Sequence, residues 1–472
     1  MSLAGVCALV MLAASVEIVL DASLEHSPLI PHQPHIAAWL QSLGGERLGY
    51  RVFLIALLAF SFAYGLLLML AHARLGTRAS RQGAERIVPR WAIGLVAALN
   101  LIVFAGPILI STDVFSYIAY ARMGVVHGVN PYLHGPVAIV GDPVFRYVGH
   151  DWLRVATAYG PLYTLLSYPL GLFGVVGALW GMKLYALSAS AITLALTWRI
   201  ARLRGQDAVF ALLAVGANPL YVIYGLGGAH NDLIMLALMM GAVALTIARP
   251  ERAAGGADSG SRAQPERGTV SVPTSAGGGE QNTNRLLDRR SREAAAGALV
   301  LAGALVKATV AVLLPFMVLS RRRLAPALGA LAALALGALA GYAVFGIHGI
   351  DVVSALNRDS AFVSTDSFPN ELAHLVGKPG VFPVDHDLLK VALVLIVLHL
   401  LWRTWRGYDW VAASGWALLA ISVTSTWLLA WYILWPLPLA VLTRDRRLLI
   451  ATLFVQALFV VHQTAPLFAP VS

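Results

Sequence analysis

Charge is scarce in this sequence. Only 12% of its 472 residues are Asp, Glu, Lys or Arg, whereas soluble domains carry about 25%. A water-soluble chain of this length could not clothe its surface with so few charges, which excludes that class. Cysteine is scarcer still: Cys7 stands alone, so no intrachain disulfide forms. There is no Walker-type phosphate loop, which argues against a nucleotide-driven pump, and no Gly-x-Ser-x-Gly nucleophile elbow. Cys/His metal spacing is also missing; no residue is assigned to a metal and no cofactor is expected, while metal dependence stays open. Paired acids deep within apolar runs, expected of many ion-coupled transporters, are few. Glu17 is the main one, near the outer end of its run.

What is present is hydrophobic. The apolar share is 58%, and the mean hydropathy is +0.73. Apolar runs recur from end to end, for example 51–70, 91–110, 324–346 and the shorter 388–402. Most are long enough to cross a hydrocarbon core of ~30 Å. Lipid offers the backbone no hydrogen-bond partners, so the runs should be helices. The expectation is an all-α, polytopic integral membrane protein with about 12 to 13 spans.

The net charge of +10 does not indicate nucleic acid. The arginines sit in short loops between apolar runs: Arg74, Arg78, Arg81, Arg86 and Arg90; Arg199, Arg202 and Arg204; Arg321, Arg322 and Arg323; Arg444, Arg446 and Arg447. That is the positive-inside pattern. Alternate loops lean acidic, with Asp21, Glu25 and Glu46 in one. Asp351, Asp359, Asp366, Glu371, Asp385 and Asp387 lie in another. These loops are expected outside, with the N-terminus cytoplasmic and the whole in the cell (plasma) membrane. The run 3–20 lacks the basic flank of a signal peptide and reads as a first span.

Three parts follow. Residues 1–248 form a membrane part whose first large outer loop is 111–154. Residues 249–292, rich in Gly, Ser, Ala, Arg and Glu, cannot bury a core and read as a disordered cytoplasmic linker. Residues 293–472 form a second membrane part with an outer loop at 347–386. The stretch 293–320 has arginine-rich flanks at both ends, so it should be a hairpin of two short helices with Lys307 near its turn. The stretch 156–173, broken by Gly160, Pro161, Pro169 and Gly171, reads as re-entrant or interfacial.

The densest polar segment opens the first outer loop: Ser111-Thr112-Asp113-Val114-Phe115-Ser116-Tyr117-Ile118-Ala119-Tyr120-Ala121-Arg122. A helix here would put Asp113, Tyr117 and Tyr120 on one side. A carboxylate at the end of a span is partly desolvated, which raises its pKa and makes it a better base. Spacing alone leaves a second reading open, with Asp113 as a helix cap and Ser111 or Thr112 as rivals. Tyr117 and Tyr120 also suit an aromatic belt. Further on, His230-Asn231-Asp232 crowds three polar side chains into a turn after two glycines, more than a cap needs. Lys307 is a lone cation in apolar surroundings. It either snorkels to an interface or neutralises an anionic phosphate. Arg358, His374 and Lys378 read as ordinary loop residues, and 431–438, with its Trp and Pro, as an interfacial anchor.

The order Asp113…Tyr117…Ala121-Arg122…Gly128…Asn130-Pro131-Tyr132…Tyr159-Gly160-Pro161-Leu162-Tyr163 resembles the GT-C glycosyltransferases, multi-span enzymes that use sugars on polyprenyl phosphate. Four further elements are similar in order and spacing to the bacterial polyprenol-phosphomannose-dependent α-1,6-mannosyltransferases. These are Asn218-Pro219-Leu220, Gly227-Gly228-Ala229-His230-Asn231-Asp232, Leu305-Val306-Lys307 and Trp431-Tyr432…Trp435-Pro436. The likeness runs from about residue 90 onward, and the linker 249–292 lies outside it. It implies inverting transfer of a sugar, mannose in that group, from a polyprenyl-phosphate donor to an extracytoplasmic glycan or glycolipid acceptor. Asp113 matches the family's acidic residue and would be the base. Arg122, His230 and Lys307 are candidates for the donor phosphate, and Asn231 and Asp232 for sugar hydroxyls. Tyr117, Tyr120, Asn130, Tyr132 and Tyr159 would line the substrate loop. The implied partners are the lipid-linked donor, the acceptor and membrane lipid, and no nucleic acid. A competing reading, a secondary transporter or lipid flippase, draws on the span count and the broken segments. A structural scaffold would account for neither the first outer loop nor His230-Asn231-Asp232.

Overall fold

The computed structural model describes residues 2–24, 27, 29–30, 32–34, 49–78, 90–247, 276–351, 354 and 362–468, without the side chains of 74–78, 276–287, 321 and 350. Among these residues every regular element is helical, as apolar runs in lipid require. Glu25 and Glu46, Arg81 and Arg86, Arg358 and Asp359, and residues 249–275 of the expected linker lie outside the described residues.

The first half contains α1 (Leu3–Ser23), α2 (Tyr50–Arg78), α3 (Arg90–Ala105), α4 (Asp113–Val125), α5 (Pro161–Gly171), α6 (Gly174–Leu203), α7 (Ala208–Gly216) and α8 (Asp232–Thr246). The second contains α9 (Ala276–Ala304), α10 (Leu313–Arg321), α11 (Ala325–Phe345), α12 (Phe368–Leu375), α13 (Pro383–Trp405), α14 (Trp410–Thr424), the short α15 (Leu437–Ala440) and α16 (Arg446–Thr464). Among the described residues, five stretches are long and apolar enough to cross a membrane: Leu3–Ser23, Tyr50–Ala73, Gly174–Leu203, Ala325–Gly349 and Arg446–Leu467. A sixth is the bent pair of α7 and the wide helical turn Leu220–Leu226. Shorter apolar helices, α3, α8 and α14 among them, account for much of the remaining apolar sequence. The protein is a multi-pass membrane protein.

Two breaks position the functional residues. The first falls at Asn218-Pro219, where the chain bends by 47°. Proline has no N–H to continue the helix, and Asn218 supplies bonds at the break. Its Nδ2 donates to Tyr64 Oη (3.1 Å) and Gln456 Oε1 (2.8 Å), and its Oδ1 accepts from the Tyr221 amide (3.2 Å). The wide turn after it delivers His230-Asn231-Asp232 to the start of α8.

The second break follows α9. The chain turns at Leu305–Lys307, runs through a short 3₁₀ segment (Ala308–Val312) and returns along α10. Arg323 Nη1 lies 3.6 Å from Glu293 Oε2, so both ends of this excursion reach the same level. This is the hairpin that the arginine-rich flanks required, and Lys307 is at its turn. The expected linker needs one correction: α9 begins at Ala276, so residues 276–292 are helical. Arg285, Leu286, Leu287 and Arg289 are good helix formers, and Arg289 Nε pairs with Glu293 one turn on at 3.1 Å.

Candidate active site

α4 starts directly after an extended connection from α3. Asp113 is its first residue, and Thr112 precedes it without a side-chain cap. Ser111 Oγ accepts from the Asp113 amide at 3.2 Å. The Asp113 carboxylate is therefore not spent on capping. It points to His230, whose Nδ1 is 3.7 Å from Asp113 Oδ2. A backbone bond from Leu109 N to Gly227 O (2.9 Å) ties the two segments together. Ile110 (φ 65°) and Ala229 (φ 50°) hold left-handed conformations, which a β-branched residue such as isoleucine adopts only under constraint.

His230 is buried and fixed on both sides. Its ring stacks on Trp431 with centroids 3.6 Å apart, and Tyr117 Oη is 3.3 Å from its Nδ1. Tyr117 in turn meets Tyr159 and Tyr163 edge to face, at 4.8 Å and 5.1 Å. Burial, with Lys307 adding to it, holds the His230 imidazolium well below the ordinary histidine range, so the ring is neutral. Burial pushes the Asp113 carboxyl up to about 6; the charge of Lys307 opposes the shift and that of Asp232 adds to it.

Lys307 reaches this site from the second half of the chain. Its Nζ donates to Asp232 Oδ2 at 2.9 Å and lies over the rings of Tyr432 (4.2 Å) and Trp435 (5.3 Å). Asp232 is fully buried, and its other oxygen accepts from Trp435 Nε1 at 2.6 Å. The hairpin turn is held against α5. Gly160 N donates to Val306 O (3.3 Å) and Leu162 N to Leu305 O (3.1 Å). A Cβ on Gly160 would lie 2.0 Å from Leu305 O, so only glycine permits the contact.

Between these walls is a cavity of ≈ 140 Å³. Asp113, Ser116, Tyr120, Tyr159 and Lys307 line it together with Trp152, Trp427, Trp431, Tyr432 and Trp435. A partly buried carboxylate, a lysine and an aromatic wall thus share one space.

A family model described as "Alpha-(1->6)-mannopyranosyltransferase, N-terminal domain" matches residues 2–323, and one described as "MptB C-terminal domain" matches residues 385–466. The chain belongs to the alpha-(1->6)-mannopyranosyltransferase family. It is 26% identical over 402 residues to alpha-(1->6)-mannopyranosyltransferase A of Mycobacterium tuberculosis, covering 78% of this chain and 69% of that protein. It is 31% identical over 238 residues to the protein of the same name from Corynebacterium glutamicum, covering 45% of this chain and 47% of that protein. No solved structure matches. Family membership makes the chain a glycosyltransferase and removes the transporter and scaffold readings.

Within this family member the sequence-derived candidates separate into two groups. Asp113, Tyr117, Tyr120, Tyr159, His230, Asp232 and Lys307 meet at or beside the cavity. Asn231 is next to them, fully buried, and neither of its side-chain amide atoms has a hydrogen-bond partner among the described residues.

The structure takes Arg122 elsewhere. Its Nε donates to both Asp142 oxygens at 2.9 and 3.0 Å, and its Nη1 donates to Gly171 O at 3.0 Å. His127 Nε2 lies 2.7 Å from the same carboxylate. Burial raises Asp142, but the bonds from Arg122, His127 and the Val144 amide outweigh it and leave the carboxyl below its usual value. Arg122 is thus a clamp of the outer loop and is not at the cavity. Asn130 and Tyr132 are clamps as well. Asn130 Nδ2 donates to Phe345 O (2.9 Å), and Tyr132 Oη donates to Tyr159 O (2.9 Å). Asp232 differs from its expected role too. Both oxygens are engaged by Lys307 and Trp435, which leaves none facing a sugar.

The segment 431–438 read as an interfacial anchor, yet Trp431, Tyr432 and Trp435 form one wall of the site. An anchoring tryptophan and a site tryptophan look alike in sequence. The available signal was the ordered Trp431-Tyr432…Trp435-Pro436 element. Trp152 and Trp427 carried no motif at all.

Proposed function

We propose that this protein transfers a mannosyl residue from a polyprenyl-phosphate donor to an extracytoplasmic glycan or glycolipid acceptor, with inversion at the anomeric carbon. One observation carries the reading: a partly buried Asp113 carboxylate and the Lys307 ammonium line the same small cavity. The names of the relatives support mannose as the sugar and an α-(1→6) linkage as the product. The loops bearing arginine clusters lie between spans, and the positive-inside rule supports an outer position for the Asp113 side.

The chemistry follows from the groups present. Asp113 takes the proton of an acceptor hydroxyl as that oxygen attacks the anomeric carbon. A carboxyl near 6 is ionised at neutral pH, yet it is more basic than an ordinary aspartate. The bond from the anomeric carbon to the phosphate oxygen breaks on the opposite face, so an α product requires a β-linked donor. The leaving group is a polyprenyl phosphate, and Lys307 stabilises the charge it gains. Neutral His230, stacked on Trp431 with its Nδ1 3.7 Å from Asp113 Oδ2, sets no positive charge beside the carboxylate. Aromatic walls exclude water, which limits hydrolysis of the donor.

Purified protein given radiolabelled polyprenyl-phosphate mannose, or the glucose equivalent, and an alkyl α-mannoside acceptor tests this. Mannose transfer, lowered about 10²- to 10⁴-fold in Asp113→Asn, is the expected result. Wild-type turnover in that variant would overturn the role of Asp113. Transfer of glucose alone would overturn the choice of sugar.

A further inference from the structure

Three aromatic side chains meet at the cavity, each from a different connecting segment. Trp152 ends the short turn His150–Trp152 of the first outer loop. Phe362 precedes α12, and Trp427 follows α14. Ring centroids lie 6.1 Å apart for Trp152–Trp427, 6.4 Å for Trp152–Phe362 and 5.4 Å for Phe362–Trp427. All three are half-buried, and both tryptophans line the cavity that holds Asp113.

The trio is held rigidly. Ser364 N donates to Thr426 O (2.8 Å), Thr426 Oγ1 to Phe362 O (3.0 Å), Ser364 Oγ to Leu428 O (2.9 Å) and Leu428 N to Ser364 Oγ (3.0 Å). These bonds fix the residues on either side of Trp427. Trp152 is close to the start of α4: a Cβ on Gly149 would touch both Thr112 Oγ1 (2.9 Å) and Trp152 Cδ1 (3.3 Å). The edge of the Trp152 ring therefore stands near Thr112, the residue preceding Asp113.

We propose that Trp152 and Trp427, backed by Phe362, form the acceptor subsite and hold a pyranose ring of the acceptor glycan by face stacking. This rests on the glycosyl-transfer reading above. A pyranose has a flat C–H face and a rim of hydroxyls. The face packs on an aromatic ring while a hydroxyl stays free to meet a base. The opposite need, binding a phosphate, is met by a different part of the lining, where Lys307 stands on Tyr432 and Trp435. Asp113 shares the cavity with both parts, as a base between donor and acceptor requires. Pre-positioned rings lose little freedom on binding, so they suit a weakly held, uncharged ligand.

The test uses the full-length protein in detergent with an alkyl α-(1→6)-mannobioside as acceptor probe. Direct binding of the probe and steady-state kinetics are measured for wild type, Trp152→Leu, Trp427→Leu and Trp427→Phe. Both leucine variants should raise the KM and Kd for the probe roughly 5- to 10-fold, with donor KM unchanged. Trp427→Phe, which keeps a flat ring, should recover most of that loss. Folded leucine variants that keep wild-type probe Kd and KM would overturn the subsite. So would equal losses for donor and acceptor that phenylalanine does not rescue, because these mark a structural role. A wild-type protein that binds the probe through Trp427 yet transfers no mannose would retain the subsite and overturn the transfer reading.

Discussion

Asp232 holds Lys307: carboxylate and ammonium are 2.9 Å apart, and the carboxylate is fully buried. Trp435 Nε1 occupies its other oxygen, so Asp232 acts on substrate only through the lysine. Asp232→Asn keeps an acceptor for Trp435 but leaves Lys307 without its counter-charge. Removing one partner of a buried pair costs about 3–5 kcal/mol. The variant should show a lower apparent Tm and a raised donor KM. Asp232→Asn combined with Lys307→Met should be less unstable than the two single losses added together. Thermal unfolding of both singles and the double checks this; strict additivity would mean that the pair does not act as a unit.

The pH dependence of kcat/KM should carry an acidic limb near pH 6. Asp113 must be ionised to accept a proton, so activity rises with pH through its pKa of about 6 and levels off at neutral pH. The neighbouring charges set the direction of two shifts. The Asp232 charge raises Asp113, so Asp232→Asn should move the limb to lower pH. The Lys307 charge lowers Asp113, so Lys307→Met should move it to higher pH. Rate profiles between pH 4.5 and 8 on folded variants distinguish these; a limb that stays in place in both would remove Asp113 as its source.

Asp113 also links function to stability. Its folded pKa lies above the ordinary value of 3.8. The protonated form is therefore favoured by folding, and that stability is lost as pH rises through about 6. Asparagine mimics the neutral acid. Asp113→Asn should be more stable than wild type at pH 7.5, by about 2–3 kcal/mol for a shift of this size, and the gap should narrow toward pH 5. Apparent Tm at the two pH values is the measurement. A gap that widens at low pH would contradict the assigned shift.

Much of the site was readable because its signals are local. A carboxylate after a span, followed by tyrosines at helical spacing, does form one face of α4. His230-Asn231-Asp232 and Lys307 stood out because polar groups in apolar sequence are costly, and the fold brings them together. The remainder depends on contacts that spacing does not encode. Arg122 meets its partner Asp142 only when the first outer loop folds back on itself. Trp431 and Trp435 sit in an apolar, proline-broken stretch that looks the same at a lipid interface. Phe362 and Trp427 are joined by the bonds between 362–364 and 426–428, and Trp152 meets them from a loop far away in sequence. The helical extension of α9 to Ala276 was hidden by a composition that suits a linker equally well.

Arg122 and Lys307 should consequently behave differently. Arg122→Lys forfeits the forked contact with Asp142 and the bond to Gly171 O. It should lower the apparent Tm and leave donor KM unchanged. Lys307→Met should raise donor KM and lower kcat. Kinetics with a polyprenyl-phosphate donor at pH 7.5 compare them, and a raised donor KM in Arg122→Lys would return that residue to the phosphate site.

The most specific coupling runs through a residue with no side chain. Gly160 sits so close to Leu305 O that a methyl group would lie 2.0 Å from it. That oxygen belongs to backbone, so the clash must separate α5 from the turn that carries Lys307, two residues beyond Leu305. Gly160→Ala should cost about 1–3 kcal/mol of stability. A displaced Lys307 should also lower kcat about 10- to 100-fold. Gly128 provides the control. It has φ +64° and open space where a Cβ would stand, so alanine there adds only backbone strain, about 1 kcal/mol. Gly128→Ala should match Gly160→Ala in being less stable than wild type while keeping kcat and donor KM. Equal kinetics for the two variants would show that the contact of Gly160 with Leu305 does not position Lys307.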